Sequence, residues 1–281
     1  MGIPMCSNLL RAHFHVSGFD LNHQAASALS HEPNFTWVDS PLQAVASSDV
    51  LILMLPNSKI VDSLLWDGPS PLVNSIRPDQ ILVDMGSSDP VHSRENFRKF
   101  TALDLAFCDA PVSGGVKRAI DGSLSIMMGG EESAIEKIRP VLEVLGKTLV
   151  HVGAAGAGHA VKALNNYVSA AGLLAVSEAL IAAEKFGIDP HLVNKVFNAS
   201  TGKNNTTEVK VENFMLSGTF NSGFSLALMR KDVQTALDFI SRMGTPDDFV
   251  KVCSSTWTKA ESVLPKGADH TEMYKFTQAQ S

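Results

Sequence analysis

Three cysteines in 281 residues, Cys6, Cys108 and Cys253, are too few and too scattered for a disulfide framework or a metal-ligand cluster. That usage fits a reduced, cytoplasmic setting. Basic residues are also short: 23 Lys+Arg stand against 29 Asp+Glu, for a net charge of −6. No broad cationic surface of the kind that grips nucleic acid is expected. Long apolar runs are missing too. The longest, from Asp49 to Pro56, is strand-sized and far below the roughly 20 residues a membrane span needs. Arg11, His13 and His15 break up any apolar core of a signal peptide. Met1-Gly2 opens like a myristoylation signal, but Cys6 sits where that signal needs Ser or Thr. No repeat or low-complexity tract occurs. What remains is a globular chain, 44% hydrophobic, long enough for one large domain or two ordinary ones.

The first half alternates strand and helix signals. A helix is expected over 1–11, with Met5, Leu9 and Leu10 on one face. Short strands follow at 15–20 and 36–38, separated by a helix over 22–29, and a further helix covers 41–46. Val50–Leu55, Ile81–Asp84 and Leu105–Asp109 are near-continuous apolar runs, the pattern of strands buried on both faces of a parallel sheet. Leu124–Met128 and Leu149–Val152 complete the set. Strands alternating with helices predict βαβ units and an α/β Rossmann-type doubly wound sheet. After Gly153 the strand signals stop. A helix over 156–186 is followed by helices at 191–199, 204–215, 229–242, 249–261 and 270–277. Two domains are therefore expected, an α/β domain over 1–153 and an all-helical one over 154–281.

Several residues carry candidate chemistry. Gly2 opens the first helix, and Asp20 ends the strand that follows, about where a dinucleotide fold places the acid that holds the adenosine ribose. Its charge would repel a 2′-phosphate, and Leu21 and Asn22 supply no arginine to accept one, which favours NAD over NADP. Asp20 would equally serve as a plain turn aspartate. Ser113, Gly114 and Gly115 follow a buried strand, and their backbone N–H groups could form a carboxylate pocket or merely a turn. Lys162 and Asn166, spaced i and i+4, share one helix face. A lysine near a reacting hydroxyl can move its proton and an asparagine amide can orient the oxygen; by spacing alone, Lys162 could also be a solvated surface lysine. Lys231-Asp232 is mute by itself.

Taken together, Met1–Met5, Met54-Leu55-Pro56, Asp84–Pro90, Asp109–Gly115, Gly122–Met127 with Gly129-Gly130, Gly156–Asn166 and Lys231-Asp232 resemble the β-hydroxyacid dehydrogenase family, in family order and over nearly the whole chain. The resemblance implies NAD-dependent oxidation or reduction of a small 2- or 3-hydroxy acid at its CH–OH group. It implies that Lys162 is the general acid/base and that Asn166 holds substrate beside it. Ser113, Gly114 and Gly115 would bind the substrate carboxylate. Gly2, Asp20, Leu55, Pro56, Ser87 and Lys231 would contact the cofactor. A homodimer or homotetramer is the family's usual assembly.

The chain departs from the family pattern in two places. Of the loop Gly-x-Gly-x-x-Gly only the last glycine, Gly2, is present, so the cradle for the cofactor pyrophosphate is incomplete. One expectation is a family member that acts as a binding or scaffold protein; another is that Met1 is an internal methionine, preceded in frame by an apolar strand and Gly-x-Gly. The second departure, Val116-Lys117-Arg118-Ala119, offers cationic grip on a second polar group or a solvated face.

Overall fold

A computed structural model describes residues 1–280. The chain divides into two compact units, Met1–Lys162 and the stretch from Ala163 onward.

The first unit alternates as its apolar runs require. Helix α1 (Gly2–Arg11) leads to β1 (Val16–Gly18), α2 (Gln24–Ser27), β2 (Phe35–Trp37), α3 (Pro41–Ala46), β3 (Val50–Leu53) and α4 (Ser58–Trp66). Next come β4 (Ile81–Asp84), α5 (Pro90–Thr101), β5 (Ala106–Asp109), β6 (Val112–Ser113) and α6 (Gly115–Ile120). Strand β7 (Leu124–Gly129), α7 (Glu132–Leu145) and β8 (Gly146–Gly153) complete it. Three helices take Pro in the first turn or a side-chain cap at the boundary: Ser40 before α3, Asn57 before α4 and Asp89 before α5.

The main sheet runs β3-β4-β5-β7-β6, with β8 beside β7. Strands β3, β4 and β5 are parallel, and Val50, Ile81 and Ala106 lie in register. All four residues of β4 are buried, as the unbroken run Ile81-Leu82-Val83-Asp84 requires at the middle of a covered sheet. Successive side chains go to opposite faces. Leu82 and Phe107 pack with Leu65, Leu72 and Phe100 on one side; Val83 and Cys108 pack with Met5, Leu9, Ile135 and Leu142 on the other. Asn8 joins α1 to α6, its Nδ2 donating to the Ala119 carbonyl at 2.7 Å.

Three details differ from the expected parallel sheet. Strand β7 is antiparallel to β5 and β6. The connection from β5 to β7 is spent on β6 and the six-residue α6, which leaves no helix long enough for a crossover back to parallel. The expected helix over 22–29 shrinks to Gln24–Ser27. The sheet is also in two pieces: β1 pairs with β2 alone, apart from the six-stranded sheet whose edge is β3.

The second unit is helical. Helix α8 (Ala157–Lys185) enters it from the first, followed by α9 (Pro190–Ala199), a π-helix over Thr206–Leu216, α10 (Leu226–Arg242), α11 (Asp248–Val263), a 3-10 turn (His270–Glu272) and α12 (Met273–Ala279). The expected helix over 204–215 is thus a π-helix. Leu173 packs with Val233 and Trp257 in one cluster, and Leu180 and Ile181 pack with Val211, Met215 and Tyr274 in another. Helix α8 does reach the length and mean hydropathy of a membrane span, at 1.4 over its most apolar window, contrary to the expectation from uninterrupted runs. Ala170, Leu173, Val176, Leu180 and Ile181 are buried among the other helices, while Val161 and Val168 are exposed.

Candidate active site

Within the first unit, Asp20, Leu55, Pro56 and Ser87 follow the ends of parallel strands, and Gly2 opens the first helix. Ligands of open α/β sheets gather at those carboxyl ends. Gly2 starts α1, whose cap residue Met1 offers no side-chain hydrogen bond and whose first turn holds no acid. A methyl group placed on Gly2 would meet nothing within 4 Å. Asp20 is exposed, two residues past β1, and its Oδ1 accepts the Asn22 N–H at 2.8 Å. Leu55 and Pro56 follow β3, and Ser87 follows β4.

These last two loops touch. A Cβ on Gly86 would lie 2.6 Å from the Leu55 carbonyl oxygen, so only glycine allows the approach. Asp84 fixes the second loop, accepting the Gly86 N–H at 2.9 Å and the Ser88 hydroxyl at 2.6 Å. The exposed acid beyond β1 and the touching loops after β3 and β4 lie at the carboxyl ends of parallel strands, where open α/β sheets take their ligands.

Ser113 ends β6, in register with Ser125 of β7. Gly114 and Gly115 then take φ of +130° and +69°, a region that L side chains rarely adopt. Gly114 also packs against Arg118, whose Cβ would lie 2.8 Å from an added methyl group. Both glycines are exposed and lead straight into α6. A backbone of this kind is suited to a carboxylate. The same Arg118 contact gives the Val116–Ala119 stretch a local packing role.

Helix α8 carries Lys162 at intermediate exposure. Asn166 lies one turn on and is 7% exposed. Its Nδ2 donates to Asp232 Oδ2 at 2.6 Å, and Lys231 Nζ lies 3.1 Å from Asp232 Oδ1. Asn165 Nδ2 donates to Asn166 Oδ1 at 3.2 Å. The amide of Asn166 is therefore oriented from both ends. Lys231-Asp232, uninformative in sequence, proves to be part of this line; Asp232 is 3% exposed rather than solvated.

Two features escaped the sequence. One is a buried polar group around the start of α8. Asp109 Oδ1 accepts the Gly156 N–H at 2.6 Å, and Oδ2 accepts the His159 N–H at 2.8 Å. Burial raises the Asp109 carboxyl above its ordinary range, opposed by His159 and the two N–H groups. Burial likewise pushes the neighbouring Cys108 thiol up to about 12, which keeps it protonated and inert. The available signal was an acid at the end of a buried strand, but its partner lies 47 residues away. The other feature is Lys210 on the π-helix, 7% exposed, with its Nζ donating to Ser169 Oγ at 3.0 Å.

The chain is similar to known proteins. Residues 1–153 match the family described as the NAD binding domain of 6-phosphogluconate dehydrogenase. Residues 156–277 match the family described as the NAD-binding of NADP-dependent 3-hydroxyisobutyrate dehydrogenase. The 2-(hydroxymethyl)glutarate dehydrogenase of Eubacterium barkeri is 35% identical over 238 residues, 85% of this chain and 78% of its own. The 2-hydroxy-3-oxopropionate reductase of Escherichia coli is 35% identical over 237 residues, 84% of this chain and 80% of its own. A structure of 3-hydroxyisobutyrate dehydrogenase from Mycobacterium tuberculosis with L-serine superposes with a TM-score of 0.90 at 32% identity, over 98% of this chain and 95% of that one. On these matches the chain belongs to the β-hydroxyacid dehydrogenase family of oxidoreductases.

Proposed function

We propose that the protein is an NAD-dependent oxidoreductase acting on the CH–OH group of a small 2- or 3-hydroxy acid, with Lys162 as general acid/base. Residues 1–153 would form the NAD-binding domain and 154–281 the helical substrate and assembly domain. The observation that carries this reading is the Lys162–Asn166 face of α8, with the Asn166 amide held by Asp232 at 2.6 Å. A fixed amide presents one geometry to the substrate oxygen, and a lysine one helical turn away is placed to exchange its proton.

When bound, NAD supplies the hydride acceptor at nicotinamide C4. In oxidation the neutral Lys162 amine takes the hydroxyl proton as the carbinol carbon becomes a carbonyl; in reduction the ammonium returns it. Ser113, Gly114 and Gly115 hold the substrate carboxylate through backbone N–H groups. Gly2 and the start of α1 would hold a cofactor phosphate, Leu55, Pro56 and Ser87 would contact the cofactor from the strand-end loops, Lys231 would lend it cationic charge, and Asp20 would take the ribose hydroxyls while disfavouring a 2′-phosphate. The names of the relatives, among them a 2-(hydroxymethyl)glutarate dehydrogenase and an enzyme solved with L-serine, support a small hydroxy acid as substrate.

The test is Lys162→Ala, assayed with NAD over a panel of small 2- and 3-hydroxy acids. Loss of general acid/base catalysis should lower kcat by about 10²–10⁴-fold while NADH affinity stays within twofold. Unchanged kcat on the best substrate would overturn the role of Lys162.

A further inference from the structure

We propose that Asp109 and His159, braced by Asp84 and Ser93, are positioning residues for Lys162: a buried bracket that sets the register and direction of the helix turn from which the lysine projects. This rests on the reading of Lys162 as the general acid/base. All five residues belong to the first unit.

The start of α8 is held from a distance. Its first N–H groups are capped by a carboxylate at the end of β5, where a residue next to the helix in sequence would usually serve. Both Asp109 oxygens are used, one on Gly156 and one on His159. The fit depends on two missing side chains. A Cβ on Gly158 would lie 2.8 Å from Asp109 Oδ2, and one on Gly129 would lie 2.9 Å from both the Gly158 nitrogen and the Ala154 carbonyl oxygen. The helix can seat on the carboxylate because both positions are glycine.

The His159 side chain supplies the second hold. It is 1% exposed. Nδ1 lies 2.8 Å from Ser93 Oγ and 3.5 Å from Asp109 Oδ2, and Nε2 lies 3.9 Å from Asp84 Oδ2. Nε2 is buried without a hydrogen-bond partner. One imidazole thus sits between two carboxylates that terminate adjacent parallel strands. A plain structural joint would be made more cheaply with apolar side chains, since burying charge costs more than it returns unless the pairing is close.

His159 and Lys162 are neighbours on the helix surface, three residues apart. A slip of one residue in the start of α8 would swing Lys162 by about 100° and move it about 1.5 Å along the axis. Misplacement of about 1 Å can cost a catalytic group about 10²-fold. The bracket prevents that slip by fixing the turn through two N–H groups and one ring.

The experiment is a double-mutant cycle on the full chain. His159→Leu and Ser93→Ala are each made in the parent and in Lys162→Ala, and kcat, both KM values and the urea midpoint are measured. Ethylamine is added to the Lys162→Ala proteins as a freely diffusing base, to bring their turnover into range. In the parent, His159→Leu should lower kcat tenfold or more, and Ser93→Ala less, with the KM for NAD within twofold. In the Lys162→Ala background each should change the amine-supported kcat by less than twofold, because a diffusing amine has no helix turn to be misplaced. Equal losses in both backgrounds, or a folded His159→Leu protein with parental kcat, would overturn the bracket. If His159→Leu lowers the urea midpoint so far that the protein does not fold, Ser93→Ala decides by the same criteria. Parental activity in Lys162→Ala alone would instead sink the lysine reading, and the bracket with it.

Discussion

Replacing Lys210 with methionine should stabilise the protein at neutral pH, and the gain should fade as the pH rises. Lys210 lies inside the π-helix, where burial pushes its ammonium down from an ordinary 10.5 to about 8, with Asp269 pulling weakly the other way. The folded pKa is therefore below the unfolded one. Below about pH 8 both states carry the charge, and the fold bears the whole penalty. Between about 8 and 10.5 the unfolded chain keeps a proton that the folded chain has released, so stability rises with pH across that window. At about 1.4 kcal/mol per tenfold, the penalty at pH 7 is about 3 kcal/mol. Lys210→Met keeps the length and apolar stem and removes the charge. It also removes the Ser169 hydrogen bond at 3.0 Å, worth about 1–2 kcal/mol, though Ser169 is partly exposed and can turn to water. The net gain at pH 7 should be about 1–2 kcal/mol. Between pH 7 and pH 10 the advantage of the variant should shrink by about 2–3 kcal/mol. Urea titrations of both proteins from pH 7 to 10 measure this difference, with Trp257, fully buried in the helical unit, as the fluorescent reporter. A difference that stays flat with pH, or a variant less stable than the parent at pH 7, would refute the argument.

Two further outcomes follow from single contacts. In Gly158→Ala the new methyl group would overlap the Met127 carbonyl oxygen and crowd Asp109 Oδ2 at 2.8 Å, so the urea midpoint of the first unit should drop by the equivalent of about 1–3 kcal/mol; an unchanged midpoint would mean that α8 shifts freely at its start. Asp20→Ser removes a charge that stands at the carboxyl end of β1, and the ratio of kcat/KM for NADP over NAD should rise about tenfold or more, matching a charge–charge term of about 1–4 kcal/mol; an unchanged ratio would reassign Asp20 to its turn, where it already caps the Asn22 N–H.

How far the site could be read in advance depended on whether its parts were local. Strands β4 and β5 were plain because their residues are buried on both faces, which forces continuous apolar runs ending in an acid. Helix α8 was plain because a 29-residue stretch rich in Ala and Leu, closed at Gly187, admits little else. Gly2, the Ser113–Gly115 turn and the Lys162–Asn166 spacing are short-range patterns. Asp84 and Asp109, by contrast, read only as strand ends. Asp84 holds its own loop through Gly86 and Ser88, whereas Asp109 finds its partners at the far end of a longer path, and no periodicity carries a carboxylate across 47 residues to the Gly156 N–H. Lys210 was hidden for a related reason: lysine in a helical stretch is ordinarily solvated, and only packing against α8 reveals its burial. The π-helical winding around it gives no local sequence signal either. Asp109 and Lys210 are polar side chains taken out of water against α8, the helix that also carries Lys162 and Asn166: Asp109 accepts the His159 N–H at its start, and Lys210 donates to Ser169 further along.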